Sequence, residues 1–270
     1  MLRVEIILHC LIYSISLSNP LQCTTDCYFM LDFSSPFDVP PYCNQTASAK
    51  QCKVDVSISY GYNSLFLSLS ADTFDYSLGD YQYVMAQVSA DGLATISYSV
   101  TRYCKKRDDC ARELARQSML EIIQRPLIDP QSIGKELHPL LSSNSSNSNV
   151  DLLCFDQNEN VRQCGIASQP GACEISHQLV GKKSIVRSCN NKLFTQSQSV
   201  IVMDSGKLAR FSIDCNRSLC NGAVTLQAVK EIFFKYNLTK TIEGRLNNDG
   251  FRLSLSSFWI ILIVLCWFEK

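Results

Sequence analysis

The cysteines of this chain occur in one arrangement used twice. Cys43 and Cys52 enclose eight residues, and so do Cys164 and Cys173. Upstream of each pair a Cys precedes an aromatic residue, Cys27-Tyr28 and Cys154-Phe155. Each unit ends in a tight pair, Cys104-KKRDD-Cys110 and Cys215-NRSL-Cys220. Between these, SADGLATISYSVTRYC (89–104) runs beside MDSGKLARFSIDC (203–215), each a Gly-containing turn leading into an alternating strand that enters a Cys. After the tight pair, LARQSMLEIIQ (114–124) and VTLQAVKEIFF (224–234) both have helical spacing. Shared cysteines, hairpin and trailing helix predict a tandem duplication of a disulfide module.

Both ends of the chain predict export. Met1-Leu2-Arg3 leads into the apolar run IILHCLIYSISL (6–17), and Ser16-Leu17-Ser18 supplies small residues for cleavage, so 1–18 reads as a signal peptide. The other end, FWIILIVLCWF (258–268), is eleven apolar residues followed by Glu269-Lys270, whereas a spanning helix needs about 20. Small residues at Asn247-Asn248-Asp249-Gly250, the spacer FRLSLSS and the apolar tail form the signal for a glycosylphosphatidylinositol anchor. Asn248 is the expected attachment site, or Asn247, with 249–270 removed as a propeptide; the alternative is a short membrane tail. Of fourteen cysteines, Cys10 and Cys266 leave with these ends, and the remaining twelve fit complete pairing in an oxidising compartment. Sequons at Asn44, Asn144, Asn216 and Asn237 are candidate glycosylation sites.

Net charge is zero, which leaves no electrostatic argument for nucleic acid or an acidic membrane surface as a partner. Residues 23–110 carry six basic and ten acidic side chains, and 151–222 carry eight and six, too small an asymmetry to assign a partner.

Within 19–125, KVDVSISY (53–60) and LFLSLS (65–70) alternate apolar and polar residues about a turn at Gly61, and YQYVMAQVS (81–89) and LATISYSV (93–100) do so about Ala90-Asp91-Gly92. Serines and threonines between the apolar positions describe a sheet with one wet face. A helix follows, with Ala111, Leu114, Ala115, Met119, Ile122 and Ile123 along one side, ending before Pro126. Residues 126–150, with LLSSNSSNSN at their end, read as a linker. The second unit, 151–236, holds a hairpin about Gly181-Lys182-Lys183, a second across Ser205-Gly206, and a helix over roughly 223–236. Residues 237–248 read as a polar stalk.

The second unit resembles the lymphocyte-antigen-6/urokinase-receptor family over 151–222. The resemblance rests on the Cys-aromatic start, the Cys pair nine apart, Cys173-x15-Cys189, and Cys215-x4-Cys220-Asn221 at the close. It implies a three-finger domain in which Asn221 bonds near the first strand, and disulfides Cys154–Cys173, Cys164–Cys189 and Cys215–Cys220. Two further family disulfides have no cysteines here. By repeat alignment the divergent first unit is expected to pair Cys27 with Cys52 and Cys104 with Cys110, leaving Cys23 for Cys43; Ala111 replaces the closing Asn. The expected class is thus mainly β, small and disulfide-rich, with two three-finger-like modules each followed by a short helix.

The sequence offers no catalytic constellation. Without HExxH, GxSxG or phosphate-binding glycine motifs, an enzyme is not expected, and neither is a cofactor. His138 and His177 read as isolated residues, Asp108-Asp109 as a helix N-terminal cap and Asp72/Asp75 as loop polarity. No Cys-x2-Cys spacing suggests a metal. The expected activity is recognition, carried on loops of a stapled scaffold. Val180, Gly181, Lys182 and Lys183 form the candidate binding tip, with the Ser205-Gly206 turn as a second. Tyr60, Tyr62, Tyr81 and Tyr83 are candidate interface aromatics. The resemblance implies an extracellular ligand or a membrane receptor or channel as partner; a protective surface coat is the alternative.

Overall fold

A computed structural model describes residues 20–32, 38–62, 64–74, 79–143, 152–166, 169–190 and 198–246. The expected signal peptide 1–18, the sequon at Asn144, the expected attachment residues Asn248 and Asn247 and the expected propeptide or membrane tail 249–270 lie outside them. The chain is mainly β and disulfide-rich, with three helices among the described residues. The described residues divide into two compact units, but not where the repeat does: one holds those up to Asp80 together with Ser99–Arg125, the other Tyr81–Tyr98 together with those from Pro126.

In the first unit, β1 (Leu21–Thr24) pairs antiparallel with β3 (Thr46–Ala49). Strand β5 (Ser64–Asp72) lies between β4 (Gln51–Ser59) and β2 (Cys27–Asp32), antiparallel to both. The period of two decides the faces. Val54, Val56, Ile58, Leu65, Leu67 and Leu69 are buried, while Lys53, Asp55, Ser57 and Ser68 stay half-exposed on the wet side. Helix α1 (Ala111–Ile123) covers the apolar face with Ala111, Ala115, Met119 and Ile122 buried. Leu114 is only half-buried and Ile123 is exposed, so the contact stripe is narrower than the sequence predicts.

Two of the expected disulfides are corrected. Cys23 bonds Cys52 and Cys27 bonds Cys43, with Cα separations of 5.2 and 4.9 Å. The expected Cys27–Cys52 pair fails because β5 intervenes, with Cys27 opposite Leu69 and Cys52 opposite Ala71. The expected Cys23–Cys43 pair fails with it because Cys23 takes Cys52 and Cys43 takes Cys27. Two strand spacings of about 4.8 Å put Cys27 and Cys52 out of disulfide reach. Cys104–Cys110 forms as expected, as do Cys154–Cys173, Cys164–Cys189 and Cys215–Cys220. All twelve described cysteines are therefore paired.

The second unit recruits the hairpin expected in the first. Strand β6 (Tyr81–Val88) pairs with β13 (Gln198–Asp204), Val84 opposite Val202 and Ala86 opposite Val200, all buried. Strand β7 (Ala94–Cys104) follows β6, and the unit boundary falls within it, after Tyr98. Beyond β13 come β14 (Ala209–Cys215), β11 (Ala172–Gln178) and β12 (Ser184–Asn190), each antiparallel to its neighbour. A small sheet of β8 (Leu152–Phe155), β9 (Val161–Ile166) and β10 (Gln169–Pro170) accompanies them.

Neither the linker nor the stalk has the form expected. Residues 130–141 of the predicted 126–150 linker form helix α2 (Pro130–Leu141), in which Asp129 caps the Gln131 amide at 3.0 Å and Pro130 opens the first turn. Ile133, Leu137 and Leu141, spaced by four, are buried. Gly134 lies so close to the β6–β7 turn that a Cβ there would meet the Gly92 carbonyl oxygen at 2.6 Å. Helix α3 (Ala223–Lys235) lies beside α2, where Glu136 accepts from Lys235 at 2.6 Å and from the Tyr236 hydroxyl at 2.7 Å. The predicted 237–248 stalk packs inward through 246: Leu238 and Leu246 are buried, and Arg245 ion-pairs with the fully buried Asp204 at 2.8 Å.

Candidate interaction surface

Each unit is closed by the same backbone device, built from different side chains. In the second unit the Leu219 amide, in a left-handed turn residue, donates to the Leu153 carbonyl at 2.7 Å, and the Ser218 hydroxyl oxygen accepts from the Leu153 amide at 3.2 Å. In the first unit the Asp109 amide, also left-handed, donates to the Gln22 carbonyl at 2.8 Å, and Asp108 accepts from the Gln22 amide at 2.9 Å. Asp108 and Asp109 thus tie the closing loop to β1 instead of capping α1, whose N-terminus has no side-chain cap. Asp109 further accepts from the Thr24 hydroxyl and Arg112 Nε, both at 2.5 Å. These bonds make Cys23, not Cys27, the structural counterpart of Cys154. The Cys-aromatic signal misaligned the repeats by four residues.

Asn221 completes the closure of the second unit. Its Oδ1 accepts from the Phe155 amide at 2.9 Å, and its Nδ2 donates to the Phe155 and Glu174 carbonyls at 2.8 and 3.3 Å. The same fully buried side chain therefore joins β8 to β11. Arg187 of β12 donates from Nε to the Asn221 carbonyl at 3.2 Å and pairs with Glu159 at 3.1 Å. The β11–β12 hairpin rises from this platform and turns at Gly181, whose φ of 77° suits a residue without a Cβ. Val180 is half-buried, while Gly181, Lys182 and Lys183 are exposed.

Beneath the tip lies a group the sequence did not bring together. Lys230 of α3 is buried, and its Nζ lies 2.7 Å from Nδ1 of His177 on β11 and 5.5 Å from the Phe211 ring centroid. Burial holds the Lys230 ammonium down to about 8; Glu243 opposes that shift and Lys183 adds to it. Burial, then the charges of Lys230 and Lys183, holds the His177 imidazole below its ordinary value. With the imidazole neutral, Nδ1 accepts a hydrogen bond from the Lys230 ammonium, and the tautomer that allows this keeps its proton on Nε2. Lys183 of the tip, His177 of β11 and Lys230 of α3 thus act on one another, with Glu243 as the nearby counter-charge. Phe233 packs edge-on to Phe211, the ring that Lys230 faces, with centroids 5.4 Å apart. The signal for Lys230 was its place on the apolar stripe of α3, between Leu226 and Phe233, where a charged residue needs a reason.

The other candidates are placed differently. The Ser205-Gly206 turn is held by Asp204, which accepts from the Gly206 amide at 2.8 Å, both Arg245 nitrogens and the Leu246 amide at 3.0 Å. Tyr60 is buried and its phenol is pushed up by burial, whereas Tyr62 is exposed. Tyr81 and Tyr83 belong to the second unit, so the four tyrosines do not form one patch of the first. His138 lies in α2, its Nε2 at 3.0 Å from the Ala90 carbonyl oxygen. The sulfurs of Cys52, Cys104 and Cys110 lie within 4.8 Å of one another, but all three are held in disulfides, so none is a thiolate ligand. The sequon residues Asn44, Asn216 and Asn237 are exposed. Among the described residues no helix is long and apolar enough to cross a membrane. Comparison of the sequence with family models and with curated proteins finds no match in either.

Proposed function

We propose that this chain is an exported, glycosylphosphatidylinositol-anchored cell-surface protein that binds another membrane protein or an extracellular ligand through the β11–β12 tip. The observation that carries this reading is the tip itself: an exposed Gly181-Lys182-Lys183 turn on a hairpin stapled by Cys154–Cys173 and Cys164–Cys189, above the Lys230–His177 pair. A rigid hairpin loses little entropy on binding, so its exposed side chains contribute most of their contact energy to affinity. Complete pairing of the described cysteines supports an oxidising compartment. The arrangement of β12, β11 and β14 and the Asn221 bonds to Phe155 support the three-finger resemblance of the second unit. A protective coat is the second reading, favoured by exposed sequons in both units.

Two measurements test the proposal. Treatment of expressing cells with phosphatidylinositol-specific phospholipase C should release the chain into the medium; retention, with resistant anchors excluded by chemical deacylation, would make the tail a membrane span. Released protein should bind receptor-bearing cells, and Lys182→Glu with Lys183→Glu should weaken that binding at least tenfold. Failure of the released chain to bind any cell, with glycans on all faces, would favour the coat.

A further inference from the structure

The first unit exposes an aromatic patch that its fold does not use. On β2, Phe29 points into the core, while Tyr28 and Met30 are 61% and 63% exposed. Tyr28 stacks on Phe66 of the neighbouring β5, with ring centroids 6.3 Å apart. Tyr42, also 61% exposed, donates its hydroxyl to the Tyr28 carbonyl at 3.5 Å. Grouped exposed apolar side chains mark a contact site more often than scattered ones do.

The Cys27–Cys43 disulfide brings these tyrosines beside a sequon. Tyr28 follows Cys27, and Tyr42 and Asn44 stand on either side of Cys43; the two cysteine Cα atoms are 4.9 Å apart. Asn44 is exposed at the end of the turn that precedes β3, and Thr46 completes the sequon as the first residue of that strand. A self-association of β2 is disfavoured by charge. Antiparallel pairing of two β2 strands would bring exposed Asp32 of each toward exposed Asp26 of the other.

We infer that Asn44 is N-glycosylated and that the Tyr28–Tyr42 patch is the seat of its first N-acetylglucosamine, which covers the rings with the apolar C–H face of the sugar. The C–H groups carry partial positive charge and the ring faces partial negative charge, so the two surfaces attract while water is excluded. The glycan is then a structural part of the first unit as well as a coat. This inference rests on the export reading of the chain.

The test uses the full chain purified in detergent from a eukaryotic host that adds only high-mannose glycans. Occupancy of Asn44 is read by peptide mass spectrometry, with Asn216 and Asn237 as reporters of export. Endoglycosidase H leaves the first sugar and should not change Tm; complete removal by peptide N-glycosidase should lower it by about 2–4 °C. That loss should be absent in Asn44→Gln and in the Tyr28→Ser/Tyr42→Ser variant, because the interaction needs both partners. Bare Asn44 with Asn216 or Asn237 occupied would overturn this inference alone, whereas bare sequons throughout would overturn the export reading too. An equal loss of Tm in the tyrosine variant would also overturn it and leave the patch open to an extended peptide adding along β2.

Discussion

Lys230 and Asp204 are both buried charges, but they answer to different demands. Asp204 accepts from two Arg245 nitrogens and from the Gly206 and Leu246 amides. Asp204→Ala would take the carboxylate partner from a largely buried Arg245 guanidinium. We expect a loss of about 3–5 kcal/mol in urea unfolding, the range for breaking a buried pair. Among the described residues, Lys230 meets an imidazole and an aromatic ring instead of a carboxylate. Its value of about 8 lies below that of a free lysine. Between pH 8 and about 10 the unfolded chain therefore binds more protons than the folded one, and stability should rise with pH. The expected contribution approaches about 1.4 kcal/mol per pH unit, and Lys230→Met should remove it. His177 acts in the acid range with the same sign: its depressed value means the unfolded chain protonates first, so stability should fall as pH drops below about 6.5. His177→Gln should flatten that limb.

At the scale of elements, helix α2 shows how a local signal and a global contact combine. Asp129-Pro130 is a strong helix start, and Ile133, Leu137 and Leu141 make a stripe, so the helix was legible where a linker was read. Low-complexity residues after Leu141 drew that reading too far upstream. The seat of the helix was not legible, because Gly134 has its meaning only from the Gly92 carbonyl it approaches. Gly134→Val should push α2 off the β6–β7 turn and cost about 1–3 kcal/mol by overpacking, measured as a fall in Tm. An exposed control, Val224→Ala on α3, should change little. The closing loops teach the converse. Asp108 and Asp109 looked like a helix cap because they precede α1, yet their partners, Gln22 and Thr24, are more than eighty residues away.

For the whole molecule, the unit is not the repeat. Strand β13 finds its second neighbour in β6, so the second unit needs residues 81–98 as well as those after 126. A fragment of residues 126–246 would leave the β13 edge and the Gly134 face of α2 bare. We expect it to aggregate on refolding, and adding residues 81–98 through a short linker should restore a soluble species by size-exclusion chromatography. The disulfide map offers an independent check. Non-reducing peptide mass spectrometry should find Cys23–Cys52 and Cys27–Cys43 in the first unit. Cys23→Ser should impair secretion as severely as Cys154→Ser, since both half-cystines sit on the strand that the closing loop binds.

Sequence alone determined the mainly-β class, the hairpins about Gly61, Gly92, Gly181 and Gly206, both trailing helices, and the three cystines of the second unit by way of its family resemblance. Those features follow from alternation, helical spacing, turn chemistry and cysteine spacing, which neighbours along the chain specify. Tertiary structure decided which hairpin joins which unit, which cysteine Cys52 meets, and why Lys230 lies against His177. Each of these depends on strand order, and strand order depends on which apolar faces bury each other across long separations. Alternation says that β6 has an apolar face, but every alternating strand in the chain has one. Only the register of β6 on β13, with Val84 against Val202 and Ala86 against Val200, makes the choice.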